Sequence, residues 1–185
     1  MIIDTHVHYN LEPLSLDWKT YWKHAQEVGI EKSIVVGTDS QTSKVAVEIS
    51  QQEKNLYAAV GIHPDECADS STNDLHITTL KNLLNQNTHK KIVAVGECGL
   101  DYYRLPADQQ EQKVIKQNQK IMFKHQIELA RQYDVPVIIH CRDIHEHAYN
   151  DVLSIVKVYP GTRFILHCMS GSQEYLKEAV ILCKS

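Results

Sequence analysis

The chain lacks the features that mark several protein classes. No apolar run approaches the roughly 18 residues that span a bilayer, which argues against a membrane role. Basic residues are not in excess: 19 Lys and Arg stand against 23 Asp and Glu, for a net charge of -4. Without a basic field, tight duplex binding is disfavoured, whereas contact with a strand end through a few local cations is not. The cysteines, Cys67, Cys98, Cys141, Cys168 and Cys183, are odd in number and form no C-x-x-C pair. This argues against a disulfide framework or a zinc ribbon. The first residues also lack a basic segment leading into an apolar core, so the expected location is the reducing cytoplasm.

What is present is a regular beat over 185 residues, long enough for one domain or for part of a larger barrel. Short β-branched runs alternate with amphipathic stretches: "MIIDTHVHY" then "DWKTYWKHAQEVG", "KSIVVGTD" then "QTSKVAVEISQQEK", "LYAAVGIH" then "DLHITTLKNLLNQN". The pattern continues through "KIVAVGECGLD", "VPVIIHCRD" and "TRFILHC", each followed by a helical segment. Six strand-helix pairs in series predict an α/β protein with a parallel sheet and right-handed crossovers. The strands are almost continuously apolar, as when helices cover them. Two architectures fit, a doubly wound open sheet and a (β/α) barrel.

Polar residues collect where these strands end. His6 and His8 close the first, Asp39 the second, His63 the third, Glu97 the fourth, His140 the fifth and His167 the sixth. Residues two apart in a strand share a face, so His6 and His8 can converge on one object. Both architectures build their sites on that edge, and buried histidine needs a partner. Imidazole and carboxylate donors suit zinc, manganese or a similar divalent ion. Glu97 can bridge two such ions, a clamp able to activate water and stabilise a phosphodiester under attack.

His63 in "GIHP" is expected to touch substrate, although a histidine before proline also shapes loops. Arg104 and Arg142 have the planar fork that matches phosphate oxygens; the plainer alternative is salt bridges with Asp101 and Asp143. "HEHAY", with His145 and His147, repeats the H-x-H spacing at the start of a helix, where the two side chains diverge. Cys98, Cys141 and Cys168 each follow a proposed ligand and face the other way in a strand, which predicts packing.

"DTHVH", "VGIHP", "GECGLDYYR", "PVIIHCRD" and "LHCMSGS", in that order, resemble the successive signatures of TatD-like metal-dependent deoxyribonucleases of the amidohydrolase superfamily. The resemblance spans 1–185 as a single hydrolase domain and implies a TIM-type (β/α) barrel. It implies two divalent metals (Zn, Mg or Mn) and hydrolysis of DNA phosphodiesters, often from the 3' end, with a DNA end or single strand as partner. His6 and His8 would hold one metal, Glu97 would bridge and carry catalysis, and His140 and His167 would serve the second. The family's last ligand, an aspartate in "TD-x-P" after the eighth strand, has no counterpart here, and "GTDS" at 37–40 follows the second strand. An eight-stranded barrel usually takes about 250 residues. The expectation is therefore an incomplete barrel of about six of eight units, lacking its C-terminal part, with open edges prone to self-association. An inactive remnant that keeps part of the metal site, and an amidohydrolase acting on a carbonyl substrate, are the alternatives.

Overall fold

The computed structural model describes residues 1–184, apart from the side chains of Thr72, Cys183 and Lys184. Six strands alternate with six helices. The strands are β1 (Ile2–Val7), β2 (Ile30–Val36), β3 (Leu56–Val60), β4 (Ile92–Asp101), β5 (Val137–Arg142) and β6 (Phe164–Leu166). The helices are α1 (Trp18–Glu27), α2 (Ser40–Gln52), α3 (Asn73–Asn85), α4 (Gln109–Gln132), α5 (His147–Val156) and α6 (Gln173–Lys184). Polar caps set the helix starts. Asp39 closes a capping box with Thr42 at α2, and Asp108 accepts the Glu111 N–H at α4.

Strand order in space is β1-β2-β3-β4-β5-β6, and every pairing is parallel. A doubly wound sheet reverses its order at a switch point. This one never does, so it is a rolled, barrel-type sheet of six strands. Among the described residues β1 pairs only with β2 and β6 only with β5, leaving two open edges. Ile2, Ile3 and Ile165 on those edge strands are 57%, 46% and 40% exposed.

Alternation along the strands separates two layers. Val60, Val95, Cys98, Leu100, Val137 and Ile139 face the helices and pack with Met122, Phe123 and Ile127 of α4. Val36, Ala59, Ala94 and Ile138 form a separate inner cluster. One irregularity positions the site: between β4 and β5, Val95 pairs with Val137 but Cys98 with Ile139, so Gly96 and Glu97 together oppose the single residue Ile138. Glu97 lies in that bulge. Sequence alternation put it at the strand's end, whereas β4 runs on to Asp101 and β5 runs past His140 to Arg142.

The long α4 also carries two buried glutamines on the face it turns to the sheet. Gln126 Oε1 accepts the Ile62 N–H (2.8 Å) while its Nε2 donates to the Ile62 carbonyl (3.0 Å). Gln119 repeats the arrangement at the end of β4, accepting the Asp101 N–H (3.0 Å) and donating to the Asp101 carbonyl (3.1 Å). Each amide replaces a neighbouring strand as hydrogen-bond partner where the ladder gives out.

Candidate metal centre

Several strands deliver histidines to one carboxylate. His6 is the penultimate residue of β1 and His8 lies just past its end, with their Nε2 atoms 3.1 Å apart. Glu97 Oε2 stands 3.2 Å from His6 Nε2 and 3.9 Å from His8 Nε2. Its other oxygen, Oε1, is 2.9 Å from His140 Nδ1 and 3.9 Å from His167 Nε2. One buried side chain thus faces two sets of nitrogens.

The first set fits a metal. Donors about 2.0–2.1 Å from a tetrahedral ion lie about 3.3 Å from each other; two of the three separations here, 3.1 and 3.2 Å, match this, and the third, His8 to Glu97 at 3.9 Å, is wider. The His8 tautomer is right as well. Its Nδ1 lies 2.9 Å from the Val36 carbonyl, which can only accept, so Nδ1 carries the proton and Nε2 presents a lone pair. Burial, with help from His6, lowers the His8 pKa against the pull of the Val36 carbonyl and Glu97, which favours the neutral ligand form.

His140 is held at both nitrogens. Nδ1 meets Glu97, and Nε2 lies 3.0 Å from Asp101 Oδ2. Burial alone would lower its pKa, but hydrogen bonds to Asp101 and Glu97 raise it to about 9. Burial would likewise raise Glu97, yet hydrogen bonds from His140 and His6 hold it well below the usual carboxylate range. Asp101, one of the most buried charged residues, is lowered too, its desolvation outweighed by His140 and by the Tyr103 and Arg104 backbone N–H groups. Space for this arrangement depends on Gly99. It pairs with His140, has a φ of +145°, and a Cβ there would collide with the His140 carbonyl.

Among the described residues, donor atoms within 4.8 Å of one another form two groups of three, His6–His8–Glu97 and His63–Glu97–His140. The second contains His63 rather than the expected His167. His63 Nδ1 accepts the Asp65 N–H (3.2 Å), so in the neutral ring the proton sits on Nε2. That suits a hydrogen-bond donor better than a ligand. His167 instead stacks on His6, ring centroids 3.5 Å apart, and burial next to His6 lowers its pKa.

Neither alternative salt bridge for the arginines forms among the described residues. The Arg104 guanidinium pairs with Asp65 (2.9 Å), because Asp101 spends its oxygens on His140 and on the Tyr103 and Arg104 N–H groups. Arg142 lies over the Tyr103 ring at 4.0 Å, while Asp143 accepts the His145 and Ala148 N–H groups at the start of α5. Asp39 is a helix cap and no part of the cluster. His145 and His147 stand 6.1 Å apart by ring centroid and join no donor group. Cys98 and Cys141 pack as expected, but Cys168 is exposed, because the chain leaves β6 before it in a left-handed turn (φ +46°). Asp101 and Gln119 were not expected at the site. The signal for Asp101 was its spacing, two residues past Gly99 on the same face.

The family described as TatD related DNase matches residues 3–182. An uncharacterized metal-dependent hydrolase of Bacillus subtilis, YabD, is 36% identical over 182 residues, covering 97% of this chain and 65% of YabD. The 3'-5' ssDNA/RNA exonuclease TatD of Escherichia coli is 28% identical over 156 residues, 84% of this chain and 55% of TatD. The crystal structure of the TatD homologue YjjV from Escherichia coli superposes with a TM-score of 0.80 at 29% identity, covering 98% of this chain and 65% of that one. The chain thus spans between half and two-thirds of these relatives. Among the described residues no helix is long and apolar enough to cross a membrane.

Proposed function

Since the chain belongs to the TatD related DNase family, we propose that it is a phosphodiesterase that uses two divalent metals, zinc, magnesium or manganese, to hydrolyse single-stranded DNA from its 3' end. The observation that carries this reading is Glu97, whose two oxygens face separate nitrogen sets at 3.2 and 2.9 Å. His6, His8 and Glu97 would hold one ion; Glu97 and His140, with His167 alongside, would hold the other. Bound ions supply Lewis acidity and an activated water. The protein's own groups do the rest. His63 Nε2–H donates to a phosphate oxygen, and Arg104 and Arg142 set positive charge on the rim. Asp101 keeps His140 turned so that Nδ1 faces Glu97.

The name of the relative TatD supports a nucleic-acid strand as substrate. The free Cys67, Cys98, Cys141 and Cys168 support a reducing, cytoplasmic setting. The open β1 and β6 edges would drive self-association of the isolated chain. Purified protein given single-stranded DNA with manganese, magnesium or zinc should shorten it from the 3' end and stop on chelation. Metal-free protein indifferent to chelator would refute this.

A second reading, metal binding without turnover, is favoured by one observation. Both carboxylates at the centre, Glu97 and Asp101, are engaged by His140, so neither of the two is free to take a proton from water. Tight metal uptake with no strand shortening would select it.

A further inference from the structure

We propose that Tyr103 and Arg142 form a preorganised platform on which one unpaired nucleobase of the substrate strand stacks. This rests on the reading of a nucleic-acid strand as substrate. The two residues lie just beyond the metal centre. Arg142 pairs in register with Asp101 and is two residues past His140, about 6.6 Å along the strand. Tyr103 is tied to the same place, since its N–H donates to Asp101 Oδ1 at 2.9 Å.

The pair has the geometry of a stacking surface. The Arg142 guanidinium sits 4.0 Å from the Tyr103 ring centroid, well inside the about 6 Å reach of a cation–π contact. It therefore covers one face of the ring, while the residue as a whole stays 49% exposed. The neighbouring tyrosine behaves oppositely: Tyr102 is buried and donates its hydroxyl to Asp151. The other cation–π pairs of the described residues, at Trp18, Tyr57, Tyr102 and Tyr159, sit on helices, in the loop after a helix, at the far end of β3 or on a buried ring. Arg142 is also without a carboxylate partner among the described residues, and the adjacent Asp143 accepts the His145 and Ala148 N–H groups instead. Its charge remains available to the strand.

Such a surface takes any base, since every base has a π-face, but only an unstacked one. A base pair inside a duplex has both faces occupied. The platform would therefore favour single strands without reading sequence. Holding the ring in place beforehand reduces the ordering cost of binding.

The test is a short phosphorothioate oligodeoxynucleotide, which resists hydrolysis, compared with versions in which one base at a time is replaced by an abasic site. With metal-loaded wild-type protein, one abasic position should weaken binding about 5- to 150-fold, the equivalent of 1–3 kcal/mol of stacking. Tyr103→Ala should bind the intact strand about as weakly as wild type binds that abasic strand, and should not distinguish the two. Tyr103→Trp should restore the difference. Metal content and melting temperature should be unchanged, because the ring is not in the core. A Tyr103→Ala protein that discriminates as wild type does would overturn the proposal. So would an Arg142→Ala loss that is equal on intact and abasic strands with no Tyr103 effect, which is the signature of a phosphate contact alone. Absence of any strand binding by wild type would remove both the platform and the substrate reading.

Discussion

Replacing Asp101 with Asn tests how the centre is built. Asn is nearly isosteric, and its Oδ1 can still accept the Tyr103 and Arg104 N–H groups, so the loop after β4 should hold. Its Nδ2, however, takes the place of the oxygen 3.0 Å from His140 Nε2 and is a donor. The imidazole must then present a lone pair at Nε2 and keep its proton on Nδ1, the atom facing Glu97. Nδ1 can no longer serve a cation without losing that proton against its hydrogen bonds. Loss of such an outer partner typically costs about 10- to 100-fold in metal affinity, or about 1.4–2.7 kcal/mol. In the metal-free protein, removing one of two carboxylates should bring the His140 midpoint down from about 9 by about one to three pH units. Chelator competition measures the first quantity and an NMR titration of the His140 ring the second. An unchanged midpoint and an unchanged affinity together would refute this account of the centre.

The same histidine sets a pH dependence. A folded-state pKa of about 9, above an unperturbed value near 6.5, stabilises metal-free protein fully below about pH 6.5. That contribution disappears as pH rises through about 9, so the melting temperature should fall over this window, and less so in Asp101→Asn. Glu97→Ala should lose both metals at once and reduce turnover to background; retention of one ion in metal analysis would show that Glu97 does not bridge. Gly99→Ala combines a φ of +145° with a Cβ against the His140 carbonyl and should destabilise by about 2–5 kcal/mol, read by denaturant titration. Light scattering on the isolated chain should show species larger than a monomer, and a monodisperse monomer would count against edge pairing.

Much of the fold was legible because parallel strands buried on both faces read as apolar runs, and the runs here are bounded clearly. The order of those strands in space was not, since periodicity carries no information on which neighbours pair. His6 and His8 stand where the apolar run of β1 gives out, which made them visible in the sequence, whereas Glu97 and His140 lie inside strands that run on past them. Asp101 could not be separated from a salt-bridge partner of the adjacent Arg104, because the choice turns on where Asp65 comes from, 39 residues away. The His63 and His167 positions illustrate another limit. Both sit on the rim in sequence, and only the loop hydrogen bond from Asp65 and the stack on His6 tell a proton donor from a ring laid beside the cluster.

The paired glutamines of α4 have a consequence for the order of events in this molecule. Gln119 and Gln126 are seven residues apart, two helical turns or about 10.5 Å. They close the ends of β3 and β4 with bonds that a sheet normally makes within itself. The Ile62 and Asp101 amides can therefore exchange with solvent deuterium only when α4 lifts away, whatever the state of the strands. Docking of that helix and ordering of the carboxylate beneath His140 become one cooperative step. Fraying of α4 would disorganise the centre while most of the sheet is still intact.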